Sequence, residues 1–248
     1  MRKLLVTAAA AALLIGVPAT MASSTSPRSF AAAVADTSRP EADRTRDADR
    51  KPAELMAFAG VRRGAKIVEL APGGGYFTRL LSLAVGSRGR VIAWSTRPAE
   101  AVATWATSHA NTTLTMGSLD TPLASEPVDL VWTTLNYHDF KNNVTDGRDA
   151  ASRLNAAAFA ALKPGGSYLV VDHEAAPGAA ATVTNTLHRI ESATVIQEVE
   201  AAGFQLAERS DLLRHAADDH TQRVVEAGIR GHTDQFVLRF VKPRGRRR

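Results

Sequence analysis

The 248-residue chain is long enough for one well-buried domain and short for two, and its 45% apolar and 22% charged residues are ordinary for a folded protein. The absence of cysteine excludes disulfides, a cysteine nucleophile and thiolate metal sites, and it suits an oxidising compartment. Five positive charges within residues 242–248 and two at Arg2 and Lys3 exceed the net charge of +5 by two, so the body between carries −2 and makes no electrostatic case for a nucleic-acid partner.

In chain order, residues 1–22 read as a signal peptide. Arg2 and Lys3 precede an apolar run from Leu4 to Val17, Pro18 breaks it, and Thr20-Met21-Ala22 offers a small-x-small cleavage site. Ala33-Val34-Ala35 is a second possible site, farther from the run. The run is too short to span a bilayer comfortably, so no stable membrane insertion is expected after cleavage. The chain is expected to be exported, to a periplasmic or extracellular location. Residues 23–40, rich in Ser, Ala and Pro, are expected to be a flexible leader. Residues 244–248 form a basic tail, and one domain is expected over 41–243.

Within that domain strand-like and helix-like segments alternate, which predicts an α/β fold around a mostly parallel sheet. Strands are expected at 65–70, 90–94, 111–116, 128–133, 167–171, 204–207 and 235–241. Helices are expected at 52–60, 76–85, 98–109, 149–162 and 194–202. Pro52 suits a first helical turn, and Gly60 suits a helix end.

The sharpest motif is Glu69-Leu70-Ala71-Pro72-Gly73-Gly74-Gly75-Tyr76, a strand running through a glycine loop into a helix. Glycines admit close backbone approach, and the helix start offers free N–H groups. A P-loop would need Gly-Lys-Ser/Thr, which is missing. A dinucleotide fingerprint would need a third glycine where Thr78 stands. The remaining pattern is an acidic strand end, Glu69, followed by Gly73 and Gly75 at alternate positions, with Ala71 in place of a first glycine.

On this loop, together with Arg50-Lys51-Pro52, Leu135-Asn136-Tyr137-His138-Asp139-Phe140, Leu162-Lys163-Pro164-Gly165-Gly166, Val171-Asp172-His173, Leu187-His188-Arg189-Ile190 and residues 234–240, the chain resembles class I S-adenosylmethionine (SAM)-dependent methyltransferases. More narrowly, it resembles a family of predicted secreted bacterial methyltransferases. The resemblance implies a Rossmann-like, seven-stranded, mostly parallel sheet flanked by helices. It implies SAM as cofactor and a small-molecule or envelope acceptor. It places Glu69, Ala71, Pro72, Gly73, Gly74, Gly75, Tyr76, Ser95, Ser118 and Asn136 around the cofactor.

Two positions depart from the family pattern. Ser95 ends the second strand and Ser118 follows the third, where acidic residues usually bind ribose and adenine, although Asp120 lies close by. A lost charge-assisted hydrogen bond would cost about 1.5–3 kcal/mol. This leaves a non-catalytic adenosyl-ligand-binding protein as the alternative reading.

Ligands in open α/β sheets bind beyond the carboxyl ends of the strands. The candidate catalytic residues there are His138, Tyr137 and His173, with either histidine as proton acceptor. His138, Asp139, Asp172 and His173 form a rival metal constellation, but they lack the compact spacing of a helical metal motif, and no metal ion is expected. His188-Arg189 reads as a structural ion pair with Glu191 or Asp172, or as a substrate contact.

Overall fold

The computed structural model describes residues 25–145 and 147–245. The expected signal peptide and the end of the basic tail lie outside the described residues. Seven strands form one sheet: β1 (Lys66–Leu70), β2 (Arg90–Ser95), β3 (Thr112–Met116), β4 (Val128–Thr134), β5 (Leu162–His173), β6 (Gln205–Ser210) and β7 (Gln235–Val241). Their order is 3-2-1-4-5-7-6. β1 pairs in parallel with β2 and β4, and β4 pairs in parallel with β5. Only β7 runs antiparallel to its neighbours, β5 and β6. The expected α/β sheet and its seven strands are therefore present.

The main helices are α1 (Pro52–Ala59), α2 (Tyr76–Val85), α3 (Glu100–Ser108), α4 (Tyr137–Lys141), α5 (Ala150–Ala161) and α6 (Ser192–Ala201). They cover both faces of the sheet, because its central strands are buried on both sides. Along β1, Ile67 packs with Leu55, Met56, Phe77 and Leu80 on one face. Val68 and Leu70 pack with Leu154, Val195 and Val199 on the other. Burying each such side chain stabilises the fold by about 1.5–3 kcal/mol.

The flexible-leader expectation is corrected for residues 27–40. A 3₁₀ turn at Pro27–Phe30 leads into a helix at Ala31–Ala35, and two further turns follow at Glu41–Arg44 and Asp47–Arg50. Phe30 and Ala33, three residues apart and hence on one helical face, are buried against the α1–α2 side of the core. The Arg39 guanidinium, 1% exposed, donates to both Asp47 carboxylate oxygens and to the Val34 carbonyl. Composition pointed to disorder, whereas these anchors bind the segment to the domain.

The order of strand addition reverses between the parallel strands β1 and β4, so helices diverge to opposite faces and leave a crevice beyond the carboxyl ends of these strands. Among the described residues, no helix is long and apolar enough to cross a membrane.

Candidate active site

After β1 the chain turns sharply at Ala71, which takes φ +49°, and at Gly73 (+55°) and Gly75 (+80°). An L-residue in this region costs about 1–2 kcal/mol, so Ala71 holds real strain. The Asn136 amide, just after β4, fixes the turn by donating to the Ala71 carbonyl (3.1 Å) and the Thr134 carbonyl (2.6 Å). Beside it lies a cleft of about 880 Å³ lined by Ala71, Gly73, Ser95, Asn136 and Asp139, among others. A Cβ placed on Gly73 or Gly74 would meet no atom within 4 Å, so the loop backbone is open to a ligand.

Several expected cofactor residues do not line this cleft. The Glu69 carboxyl is 2% exposed and bonded to the Thr78 hydroxyl at 2.5 Å. Burial pushes its pKa up to about 8, against the pull of Thr78 and Arg79, so it is largely a neutral acid at pH 7. Tyr76 faces the N-terminal arm: its hydroxyl donates to Asp47 (2.6 Å), and Arg39, Arg46 and Arg50 surround its ring. The Gly74 carbonyl accepts from Arg79, and Gly75 packs against Arg79 and Val102. The Pro72 carbonyl closes the turn by accepting from the Gly75 N–H. Ser118 bonds the backbone of Asp120, while the Asp120 carboxylate is bound to Arg153. Ser95 does line the cleft, with its hydroxyl accepting from the Arg97 N–H (3.1 Å).

The residues after β4 and β5 form a second, charged group. Asp172 is fully buried and receives the His138 backbone N–H, the His138 Nδ1 and the His173 N–H, each at 2.8 Å. Burial alone would raise the Asp172 pKa, but these partners outweigh it and hold the carboxyl below its usual range. Burial likewise works against protonated His138, yet Asp172 and then Asp139 leave its pKa raised above 6.5. His138 Nε2 lies 3.4 Å from Asp139 on the rim of the cleft, and His188 Nδ1 meets the same oxygen at 3.4 Å.

Of the expected metal constellation, only His138 and Asp139 share this place. Asp172 is spent on backbone and ring, and His188 stands where His173 was expected. Asp139 is 52% exposed, which suits ion pairing at a cleft mouth.

His173 lines a different cavity. Its Nδ1 meets the Thr233 hydroxyl at 2.7 Å, and burial pushes its pKa down to about 4, so it is neutral at pH 7. Tyr137 does not reach either opening: fully buried, it donates to Glu198 (2.9 Å) and accepts from Asn155 (2.8 Å). It anchors the loop after β4 to α5 and α6 in place of a catalytic role. Arg189 pairs at both guanidinium ends with Asp218, at 2.8 and 3.0 Å, instead of with Glu191 or Asp172.

The second cavity, of about 460 Å³, is lined by Leu135, His173 and Thr233 with Arg46 and Arg50 of the N-terminal arm. Leu135 belongs to this cavity and Asn136 to the cleft, so consecutive residues form the wall between the two. Leu135 is itself in the left-handed region, at φ +58°. Sequence reading missed Asp218 and Thr233 because they lie in the irregular stretch between β6 and β7, which has no periodicity. It missed the arm because that segment was read by composition.

No protein-family model matches the sequence, and no curated protein does. Solved structures do resemble it. A SAM-dependent methyltransferase from Aquifex aeolicus superposes with a TM-score of 0.56 at 12% identity, covering 77% of this chain and 89% of its own. The fold is that of class I methyltransferases. An arsenic(III) SAM methyltransferase from Chlamydomonas reinhardtii gives a TM-score of 0.55 at 17% identity, with 87% and 73% covered. The cyclase SpnF gives 0.60 at 14% identity, with 80% and 82% covered. The methyltransferase fold thus also carries a cyclase, and the reaction must be argued from the site.

Proposed function

We propose that this chain is a SAM-dependent methyltransferase acting on a small-molecule or envelope acceptor. The observation that carries this reading is the cleft at the sheet's switch point, floored by the backbone of Ala71 and Gly73 and braced by Asn136. Its volume of about 880 Å³ lies within the range of small-molecule sites. The residues present fit an adenosyl ligand by shape: a loop whose Gly73 and Gly74 carry no side chain and have open space above them, and the Ser95 hydroxyl at the end of β2.

Once bound, SAM would supply an electrophilic methyl group on its sulfonium. Asn136 fixes the loop and the wall against which an acceptor is aligned, and alignment carries much of the rate of such a displacement. For an O–H or N–H acceptor, the proton passes by way of Asp139 on the cleft rim to Nε2 of His138, buried behind it, while Asp172 holds its Nδ1 and stabilises the imidazolium. Because the His138 pKa is raised, the neutral base becomes more abundant as pH rises through that pKa, and turnover should rise with it. We also propose export of the chain, on the strength of the charged start, apolar run and small-residue site within residues 1–22.

Calorimetry with SAM and S-adenosylhomocysteine tests the cofactor reading, and no binding at millimolar ligand would overturn it. Ser95→Asp should tighten SAM binding about tenfold by restoring a charge-assisted bond to ribose. An unchanged affinity would move the ribose away from β2.

A further inference from the structure

The N-terminal arm brings Arg39, Arg46 and Arg50 around the Tyr76 ring, with Asp43 and Asp47 beside them and Arg79 reaching Asp43 from α2. Arg39 is taken by Asp47, while Arg46 and Arg79 are both taken by Asp43. Arg50 is left over: among the described residues its guanidinium makes no hydrogen bond or ion pair, and it stacks on the Tyr76 ring at 4.6 Å. Asp49 lies on the same rim without bonding to it. Burial, and then Arg46, push the Arg50 pKa below its ordinary value against the smaller pull of Tyr76, Asp43 and Asp47, none of which contacts the guanidinium as a hydrogen-bond or ion-pair partner.

Arg50 opens onto the second cavity. The walls are apolar, built by Leu55, Phe77, Leu135, Val171 and Leu213. Arg230, also unpaired among the described residues, stands on the rim, and neutral His173 with Thr233 supplies the polar end. A half-buried guanidinium over an apolar chamber is completed by an anion with an apolar body. The guanidinium gains a charge-assisted partner while the body gains burial.

We propose that this cavity is the acceptor site and that it selects an amphiphilic small anion, its carboxylate, sulfonate or phosphate held by Arg50. The apolar body lies along Phe77 and Leu135, and the Leu135–Asn136 wall sets the acceptor beside the glycine-loop cleft. Binding of the anion follows from the cavity alone, whereas its role as acceptor rests on the methyltransferase reading.

The test is equilibrium binding of the fluorescent probe 8-anilinonaphthalene-1-sulfonate to the full chain without SAM, followed by displacement with octanoate or 1-octanol. One saturable site is expected, displaced at least tenfold more effectively by octanoate than by octanol. Arg50→Gln should weaken the probe at least tenfold and Arg50→Lys less, while Arg230→Gln, on the exposed rim, should weaken it about threefold. Val225→Trp, at an exposed lining position, should obstruct the cavity and abolish the site. Equal binding by wild type, Arg50→Gln and Arg230→Gln, or equal displacement by octanol, overturns the proposal. Because SAM is titrated separately, probe binding without SAM binding would sink the methyltransferase reading and leave the anion site standing.

Discussion

The glycine-loop cleft and the cavity beside it share the Leu135–Asn136 wall, yet they hold their shape by opposite means. Around the glycine loop the nearby carboxyl groups are withdrawn: Glu69 is buried and largely neutral, and Asp120 is tied to Arg153, which leaves Asp139 as the carboxylate on the cleft rim. Loop backbone, the hydroxyl-bearing Ser95 and Thr96, and amides led by Asn136 define most of the opening, with Asp139 on its rim. Around the cavity and the histidines, charges are buried but paired, with Asp172 under two histidines and Arg189 locked to Asp218. The first side presents mostly neutral polar groups and bare loop backbone. The second is rigid because its fully buried charges, Asp172 and Arg189, are over-determined by their partners, with half-buried Arg50 the exception, and such networks are costly to break.

The largest effect expected of this contrast is on the charged side. Asp218→Asn leaves the Arg189 guanidinium, fully buried, without its counter-charge and also disturbs the Asp234 and His220 N–H groups that Asp218 accepts. Loss of about 3–5 kcal/mol is expected in urea unfolding. A loss below about 1 kcal/mol would show that the pair is not what holds this side together.

On the cleft side, Glu69 should make stability depend on pH in an unusual direction. The folded chain keeps the Glu69 proton to about pH 8, while an unfolded glutamic acid releases it near 4.5. Between those values the folded state binds more protons, so its stability is fully present below pH 4.5 and falls as pH rises towards 8. The slope approaches about 1.4 kcal/mol per pH unit. Glu69→Gln, which cannot ionise, should remove that slope and be more stable than wild type at pH 9. Parallel pH profiles for the two proteins would mean that Glu69 is ionised in the fold, and the contrast between the two sides would weaken.

These two sides were also unequally legible in the sequence. Strands β1, β2, β4 and β7 announce themselves as β-branched runs bounded by glycine and proline, and the loop from Ala71 to Gly75 can only be a tight turn. The wall residue Asn136 and the buried histidine His138, behind Asp139 on the rim, were found because they follow a readable strand. What stayed hidden was direction. Glu69 and Tyr76 flank the glycine loop in sequence, yet alternation along β1 aims Glu69 at α2, and the first turn of α2 aims Tyr76 at the arm. The arm itself was concealed by its Ser/Ala-rich composition, and Asp218 and Thr233 by an aperiodic stretch. Long-range polar pairs such as Arg189 with Asp218 leave no local pattern to read.

The smallest effect tests strain on the two sides of the shared wall. Ala71 and Leu135 both take left-handed backbone angles, at +49° and +58°. Ala71 has only a methyl group, facing the cleft, so Ala71→Gly removes about 1–2 kcal/mol of strain at an entropic cost to the folded state of about 0.4–1 kcal/mol. A net gain of roughly 0.5–1 kcal/mol is expected in thermal or urea unfolding. Leu135→Gly relieves the same kind of strain but loses a side chain packed on the core beside Phe77 and Trp132. Removing a partly buried leucine costs more than the strain returns, so the sign should reverse to a net loss of about 1–2 kcal/mol. The opposite signs would separate strain held for the loop's shape alone from strain held in place by packing. Two gains would mean that Leu135 contributes little to the cavity wall, and the apolar half of the proposed anion site would have to be redrawn around Phe77 and Leu55.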